Sequence, residues 1–225
     1  MSDNPFEFEF EDLPAELPLF PLNGVLLLPR GRLPLNIFEQ RYLNMVEHAL
    51  GRQRLIGIVQ PMVDGQAGLS APDGSALYSI GCAGRITSFQ ETTGGQIQLT
   101  LRGVCRFAII NEMPLMNSFR RAHPDFTPYK TDFSSDDGTA IDRQRLLSDL
   151  RAYFEMENIE ADWDTIEQTP DDRLVTTLAM VCPFESHEKQ ALLESADLSH
   201  RCKLIIGLIE AALRLDDNGG TVAMN

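Results

Sequence analysis

The chain has 225 residues, of which 43% are hydrophobic and 23% charged, a composition typical of globular proteins. This composition excludes fibrous and fully disordered proteins. No apolar run is long enough to cross a bilayer, and the N-terminus lacks the pattern of a secretory signal. We therefore expect a soluble, cytoplasmic protein.

Charge is distributed unevenly along the chain, whose net charge is −14. Residues 1–16 carry −6, residues 17–130 carry +4, and residues 131–225 carry −12. The change of sign predicts a domain boundary near residue 130. The negative net charge disfavours nucleic acid as a partner. Because the middle segment is mildly basic, charge alone does not exclude it.

The first residues alternate phenylalanine with glutamate, as a strand with one aromatic face would. Phe6, Phe8 and Phe10 would line that face. Two interpretations remain open: residues 1–16 form an acidic flexible tail, or they add to an exposed sheet edge. In the second case these phenylalanines contribute to peptide binding.

The next segment consists of short apolar runs interrupted by proline and glycine, which excludes a helix. We predict strands at about 17–20, 24–28 and 33–37, at sheet edges or barrel corners because central strands tolerate proline poorly. A helix follows from Glu39 to Gly51, and then a strand from Leu55 to Val59.

Two long strands, about 76–91 and 96–110, frame a predicted hairpin. A two-residue turn Gly94-Gly95 would place Phe89 and Leu99 on opposite faces, whereas a three-residue turn beginning at Thr93 pairs them. We favour the longer turn, with a bulge near Thr87–Ser88. Long bulged strands indicate a small, nearly closed barrel over residues 17–130.

Beyond residue 130 the pattern becomes helical. Residues 131–138 are polar and predict a linker, residues 139–217 predict a bundle of four main helices, and residues 218–225 form a tail. The predicted helix starts include Thr169-Pro170 and Asp197, and a short turn lies around 163–168. From the residues alone, the fold class is α+β.

Motifs for catalysis are absent from the sequence. The chain has three lysines, none of them in a phosphate-binding loop, and no nucleophile elbow. The four cysteines predict reduced, mostly buried thiols. Cys182, His187, His200 and Cys202 match no standard zinc spacing. We therefore expect no catalytic residue, no cofactor and no metal.

One block closely resembles a known family. The stretch Leu17-Pro-Leu-Phe-Pro-Leu, with the run from Leu26 through Val46, is similar to the N-terminal, substrate-recognising domain of Lon-type ATP-dependent proteases. Segments beginning at Ile80, Leu101 and Glu188 fit the same pattern. The resemblance spans roughly residues 15–215. It implies a PUA-like β pseudo-barrel followed by a C-terminal helical bundle.

The resemblance also implies a function. The chain ends at Asn225 without the ATPase and peptidase modules of a full Lon protease, so we expect a non-enzymatic protein- or peptide-binding module, acting in protein quality control or as a proteolysis adaptor. Expected partners are unfolded or specific polypeptides, including a protease or an ATPase, rather than nucleic acid or membrane. The alternatives are an RNA-binding PUA-like protein and a protease-associated enzyme. The candidate peptide-binding residues, beside the three phenylalanines, are Leu26, Leu27, Leu28, Leu33 and Leu35.

Overall fold

The computed structural model describes residues 8–62, 74–134 and 140–219, with side chains described as far as residue 215. The chain divides into two compact units, residues 1–135 and 136–225. No helix in the described ranges is long and apolar enough to cross a membrane.

In its described residues the first unit contains six strands and one α-helix. The strands are β1 (Leu17–Pro21), β2 (Arg32–Ile37), β3 (Leu55–Val59), β4 (Ile80–Glu91), β5 (Ile97–Met116) and β6 (Phe119–Asp125), and helix α1 (Gln40–Leu50) lies between β2 and β3. Short 3-10 segments at Phe10–Asp12 and Thr127–Phe133 precede and follow the strands.

The sheet closes into a barrel. Its strand order is β2-β5-β4-β3-β1-β6, and an additional pairing of β5 with β6 joins five of the strands into a ring. Strand β1 therefore lies between β3, to which it is parallel, and β6, to which it is antiparallel. Of the two positions expected for β1, a sheet edge or a barrel corner, the sheet edge is wrong, since its prolines lie in a strand with neighbours on both sides. The expectation for β2 is confirmed.

The β4–β5 hairpin has the predicted register. Phe89 pairs with Leu99, and the pair Glu91–Ile97 precedes a turn containing Gly94 (φ 122°) and Gly95 (φ 75°). The three-residue turn is therefore confirmed, as is the bulge, since Thr87 is skipped between the pairs of Ile86 and Ser88.

The barrel core is formed by apolar side chains from the strands around the ring. Its buried members are Leu17, Leu19, Leu55, Val59, Ala83, Cys105, Phe107, Ala122 and Phe126. Described residues of the N-terminal segment and of the 3-10 segment Thr127–Phe133 pack against this core. The described part of the predicted acidic tail is thus attached to the barrel, and the predicted linker at 131–138 overlaps a packed segment.

The second unit contains α2 (Arg143–Met156), α3 (Trp163–Gln168), α4 (Asp171–Val181), α5 (Ser186–Glu194) and α6 (Leu198–Gly219). Helix α6 lies against α2, α4 and α5. Its buried face carries Cys202, Ile205 and Ile209 at helical spacing. The backbone N–H of His200 donates to Asp197 Oδ1 at 2.8 Å, so the predicted cap at Asp197 is confirmed.

Candidate functional site

Strand β2 has a free edge. In the described part of the chain it pairs with β5 alone. The carbonyl of Gly31, the residue before β2, accepts a hydrogen bond from the N–H of Gly103, the residue that follows the part of β5 paired with β2. Because neighbouring residues in a strand direct their backbone groups to opposite sides, Leu33, Leu35 and Ile37 also bond towards β5.

The backbone groups of Arg32, Pro34 and Asn36 consequently point away from the sheet. Proline has no N–H, and at Pro34 the missing donor would have faced outward, where no ladder bond is lost. The free edge offers two N–H donors, at Arg32 and Asn36, and three carbonyl acceptors. This is the pattern that an added extended chain would pair with.

Apolar side chains lie along the same edge. Leu33 and Leu35 are half-buried, and Phe38, directly after the strand, has 63% of its surface exposed. Leu35 is paired with Leu99, and Leu99 with Phe89, so these three side chains form a row on one sheet face. Residues 32–38 are called the β2 edge below.

The start of α1 fixes the end of the β2 edge. The Arg41 guanidinium contacts the Glu39 carboxylate at 2.9 Å and lies 4.6 Å from the centre of the Tyr42 ring. The Tyr42 ring in turn packs on Phe20 at 4.3 Å. These contacts anchor the residues that follow Phe38, so its exposed ring extends from an ordered segment.

Three of the predicted site residues lie in the core. Leu26, Leu27 and Leu28 are 2%, 1% and 0% exposed. They belong to an irregular segment rather than the predicted strand at 24–28, and this segment covers the glycines of β4 and β5: a side chain at Gly84 would meet Leu27, and one at Gly103 would meet the Leu28 backbone. Side chains buried in this way cannot contact a peptide, so the expectation for these leucines is corrected.

Of the predicted phenylalanines, Phe8 and Phe10 do not form part of the β2 edge. Phe6 lies outside the described residues. The Arg85 guanidinium lies over Phe8, 5.6 Å from the centre of the Phe8 ring. The rings of Phe10 and Phe133 meet edge to face, with their centres 5.7 Å apart. Both rings are used in packing against the barrel.

Of the predicted residues that the structure describes, Leu33 and Leu35 lie on the β2 edge, and both are partly exposed. Sequence reasoning missed Phe38 as their neighbour. In the sequence, an aromatic residue between an apolar strand and a helix is typical of a core position. The pattern that could have indicated otherwise is Pro34, which favours an edge strand and therefore an exposed neighbour.

A separate cleft in the barrel unit is lined with charged groups. His48, Arg52, Arg121 and Glu16 lie around it, and Arg121 contacts Glu16 at 3.2 Å. Burial, followed by the positive charges of Arg52 and Arg121, lowers the pKa of His48. Within the described ranges no three or more His, Cys, Asp or Glu side chains are grouped to hold a metal ion.

These features define an α+β protein with a PUA-like β pseudo-barrel and a C-terminal helical bundle. A family model described as the ATP-dependent protease La (LON) substrate-binding domain matches residues 16–211. The chain therefore belongs to the family of Lon substrate-binding domains, which confirms the resemblance.

Curated relatives include the Lon protease 2 of Myxococcus xanthus, with 27% identity over 202 residues, which covers 88% of this chain and 24% of that protein. The Lon protease of Anaeromyxobacter dehalogenans is 26% identical over 203 residues, covering 88% and 23%. The chain thus spans about a quarter of the length of these relatives.

Two solved structures have a similar fold. A Lon N-terminal domain protein from Xanthomonas campestris has a TM-score of 0.58 and 21% identity, covering 86% of this chain and 98% of that one. The N-terminal domain of the Lon protease of the Mycobacterium avium complex has a TM-score of 0.58 and 16% identity, covering 87% and 98%. At these identities the similarity concerns the fold.

Proposed function

We propose that this protein is a non-enzymatic polypeptide-binding module whose β2 edge receives an extended segment of another protein. The observation that carries the proposal is the free edge itself: outward-facing backbone groups at Arg32, Pro34 and Asn36, beside the exposed Phe38. An exposed strand edge is a template for pairing with another chain.

Two properties of this edge support binding of unfolded segments. Backbone hydrogen bonds are independent of sequence, and they would provide affinity for any extended chain. Leu33, Leu35 and Phe38 would favour segments with apolar side chains. The name of the family, a substrate-binding domain of ATP-dependent proteases, agrees with this role.

In its cellular role the module would select polypeptides for quality control, or act as an adaptor that delivers them to a protease or an ATPase. Both roles require binding without chemistry. The four thiols support the absence of cysteine-based nucleophilic chemistry, because all four are buried and burial raises the pKa of each, that of Cys105 to about 12.

The test removes one outward N–H from the edge. Both Asn36→Pro and Asn36→Ala remove the side-chain hydrogen bond from Asn36 Nδ2 to Gln96. Only Asn36→Pro also removes the backbone N–H, a donor that β5 does not use. We expect Asn36→Pro, but not Asn36→Ala, to weaken binding of reduced, carboxymethylated α-lactalbumin, a permanently unfolded protein. Titration calorimetry measures the affinities, and thermal unfolding establishes that both variants fold.

Equal affinities of the two variants would place the binding surface elsewhere. The same mixtures test the absence of catalysis. After prolonged incubation, with and without nucleotide, the α-lactalbumin should remain intact on a gel. Fragments that appear in proportion to the amount of purified protein would overturn the non-enzymatic assignment.

A further inference from the structure

The two faces of the sheet next to the β2 edge differ in chemistry. Arg32 on β2 is paired directly with Arg102 on β5, and Arg102 is paired directly with Arg85 on β4. Residues that lie directly opposite each other share one face of a sheet. Three arginines therefore form a row across three adjacent strands, called the arginine row below.

By itself the arginine row destabilises the folded barrel. Like charges directly opposite in neighbouring strands are destabilising. Arg32 and Arg102 are exposed, and in the described part of the chain neither makes an ion pair or a hydrogen bond through its side chain. No acidic residue holds a paired position on this face. Arg85 is also paired with the buried Leu55 of β3, and the paired positions on this face between the row and the β4–β5 turn are Pro34, Asn36, Gln98, Thr100, Ser88 and Gln90.

The row lies in the basic segment 17–130, which carries +4 in a chain whose net charge is −14. The row ends at Arg32, whose own backbone N–H and carbonyl belong to the free edge. A strand added to β2 would place one side chain directly opposite Arg32, on the arginine face, at a Cβ separation of about 5 Å. Its neighbours would lie on the other face, opposite Leu33.

We propose that the β2 edge selects extended polypeptide segments that alternate acidic and apolar side chains, with the acidic side chains lying on the arginine row. The proposal rests on the proposed function and adds the class of segment that is bound. Carboxylates would compensate the positive charge of the row, and apolar side chains would cover Leu33 and Leu35.

One end of the arginine row is already covered within the chain, by Phe8. This residue lies in the alternating segment of phenylalanine and glutamate, and its ring packs on the guanidinium of Arg85, the first arginine of the row. Arg32 and Arg102, the exposed members of the row, are therefore the arginines that the acidic side chains of an added strand would face.

A polypeptide fits this surface better than RNA. Proteins that bind single-stranded nucleic acid combine basic residues with aromatic side chains on which the bases stack, and the paired positions of the arginine face hold no aromatic residue. The outward backbone groups at Arg32 and Asn36 also match the backbone of another polypeptide.

The test compares two labelled peptides by fluorescence anisotropy with the full chain. One has the sequence of residues 5–12, Pro-Phe-Glu-Phe-Glu-Phe-Glu-Asp, and the other carries glutamine and asparagine in place of the acids. The double variant Arg32→Gln, Arg102→Gln should bind the acidic peptide about tenfold more weakly at low ionic strength, with little change for the neutral peptide.

The matched control is Arg52→Gln, Arg54→Gln. It removes two exposed arginines of the same barrel unit and changes the net charge equally, so it should leave both affinities close to those of the wild type. Thermal unfolding of each double variant checks that the barrel is retained.

Three outcomes would overturn the inference. They are equal loss in the two double variants, equal affinity of the wild type for the two peptides, and tight, salt-sensitive binding of an RNA oligonucleotide in place of the acidic peptide. Binding of carboxymethylated α-lactalbumin that depends on Asn36 would still support the proposed function in the first two cases. Failure of that binding would instead remove the proposed function.

Discussion

Arg106 and Asp132 form a buried ion pair that ties the segment after the last strand to the middle of β5. The Arg106 Nη2 lies 2.8 Å from Asp132 Oδ1, and the backbone N–H of Arg106 donates to Asp132 Oδ2 at 2.9 Å. The two side chains are only 6% and 7% exposed. The 3-10 segment Thr127–Phe133 is therefore held to the barrel by charge as well as by its aromatic residues.

We expect Asp132→Asn to lower the free energy of unfolding of the barrel by about 3–5 kcal/mol, because it leaves the Arg106 guanidinium buried without its counter-charge. Chemical denaturation followed by circular dichroism measures the change. Glu11→Gln is the control: it removes the pair of Glu11 with Lys130, at 3.9 Å and largely exposed, which should cost less than about 1 kcal/mol. Equal costs would contradict the structural role of the buried pair.

Local patterns in the sequence predicted the hairpin and helices better than they predicted the closure of the barrel. The turn at Gly94-Gly95 and the alternation around Leu99 determine the β4–β5 register, so that register could be inferred. Strand β6 was missed. Its tight turn uses Asn117 (φ 47°) and Ser118 (φ 69°), without the glycine that usually marks such turns.

The position of β1 and the free edge of β2 depend on pairing between distant residues. Leu17 pairs with Ala122, a contact that no local pattern reveals. Once β1 is enclosed by β3 and β6, β2 is left at the end of the sheet order. Leu26–Leu28 read as a strand because they are a short apolar run, but the three consecutive buried side chains cover a glycine surface instead. The candidate site could therefore be predicted only in part, at Leu33 and Leu35.

Gly103 provides a test of the close packing between the 24–31 segment and β5. A Cβ at this position would lie 1.9 Å from the carbonyl oxygen of Leu28, a backbone atom that cannot move without displacing the segment. We expect Gly103→Ala to destabilise the barrel by about 3 kcal/mol, or to prevent its folding. Gly51→Ala, whose Cβ would have no neighbour closer than 3.7 Å, should be tolerated in the same denaturation experiment. A stable Gly103→Ala protein would contradict this packing.

The thiols should be unreactive in the folded protein. Burial raises the pKa of Cys105 and of Cys182 to about 12, and that of Cys202 to about 11, so at pH 8 almost none of these groups is a thiolate. Ellman's reagent should label no cysteine rapidly in the native protein and all four in denaturant. A Ser88→Cys variant, at an exposed position, should gain one fast-reacting thiol. Rapid labelling of the wild type would show that these sites open.

His48 should make the barrel less stable in mild acid. Its pKa in the folded protein is lowered from 6.5, first by burial and then by the charges of Arg52 and Arg121. The unfolded chain therefore binds the proton more readily, and the free energy of unfolding falls as the pH drops through about 6.5, levelling off below the folded-state pKa. His48→Gln should reduce this dependence. An NMR titration should place the His48 pKa below 6.5 and show that Arg52→Gln raises it; a value at or above 6.5 would contradict the prediction.

Phe38 should contribute more to binding than to stability. Its ring is 63% exposed, so Phe38→Ser removes little buried area, and the free energy of unfolding should change by less than about 1 kcal/mol. If an extended segment pairs with the β2 edge, the ring covers part of that segment, and its loss should weaken binding of carboxymethylated α-lactalbumin about tenfold. Leu115→Ser is the matched control, because Leu115 is 65% exposed on β5 but lies outside the part of β5 that pairs with β2. An equal loss of affinity in the two variants would contradict binding at the β2 edge, because Leu115 lies away from that edge. It would indicate a general attraction to exposed apolar side chains.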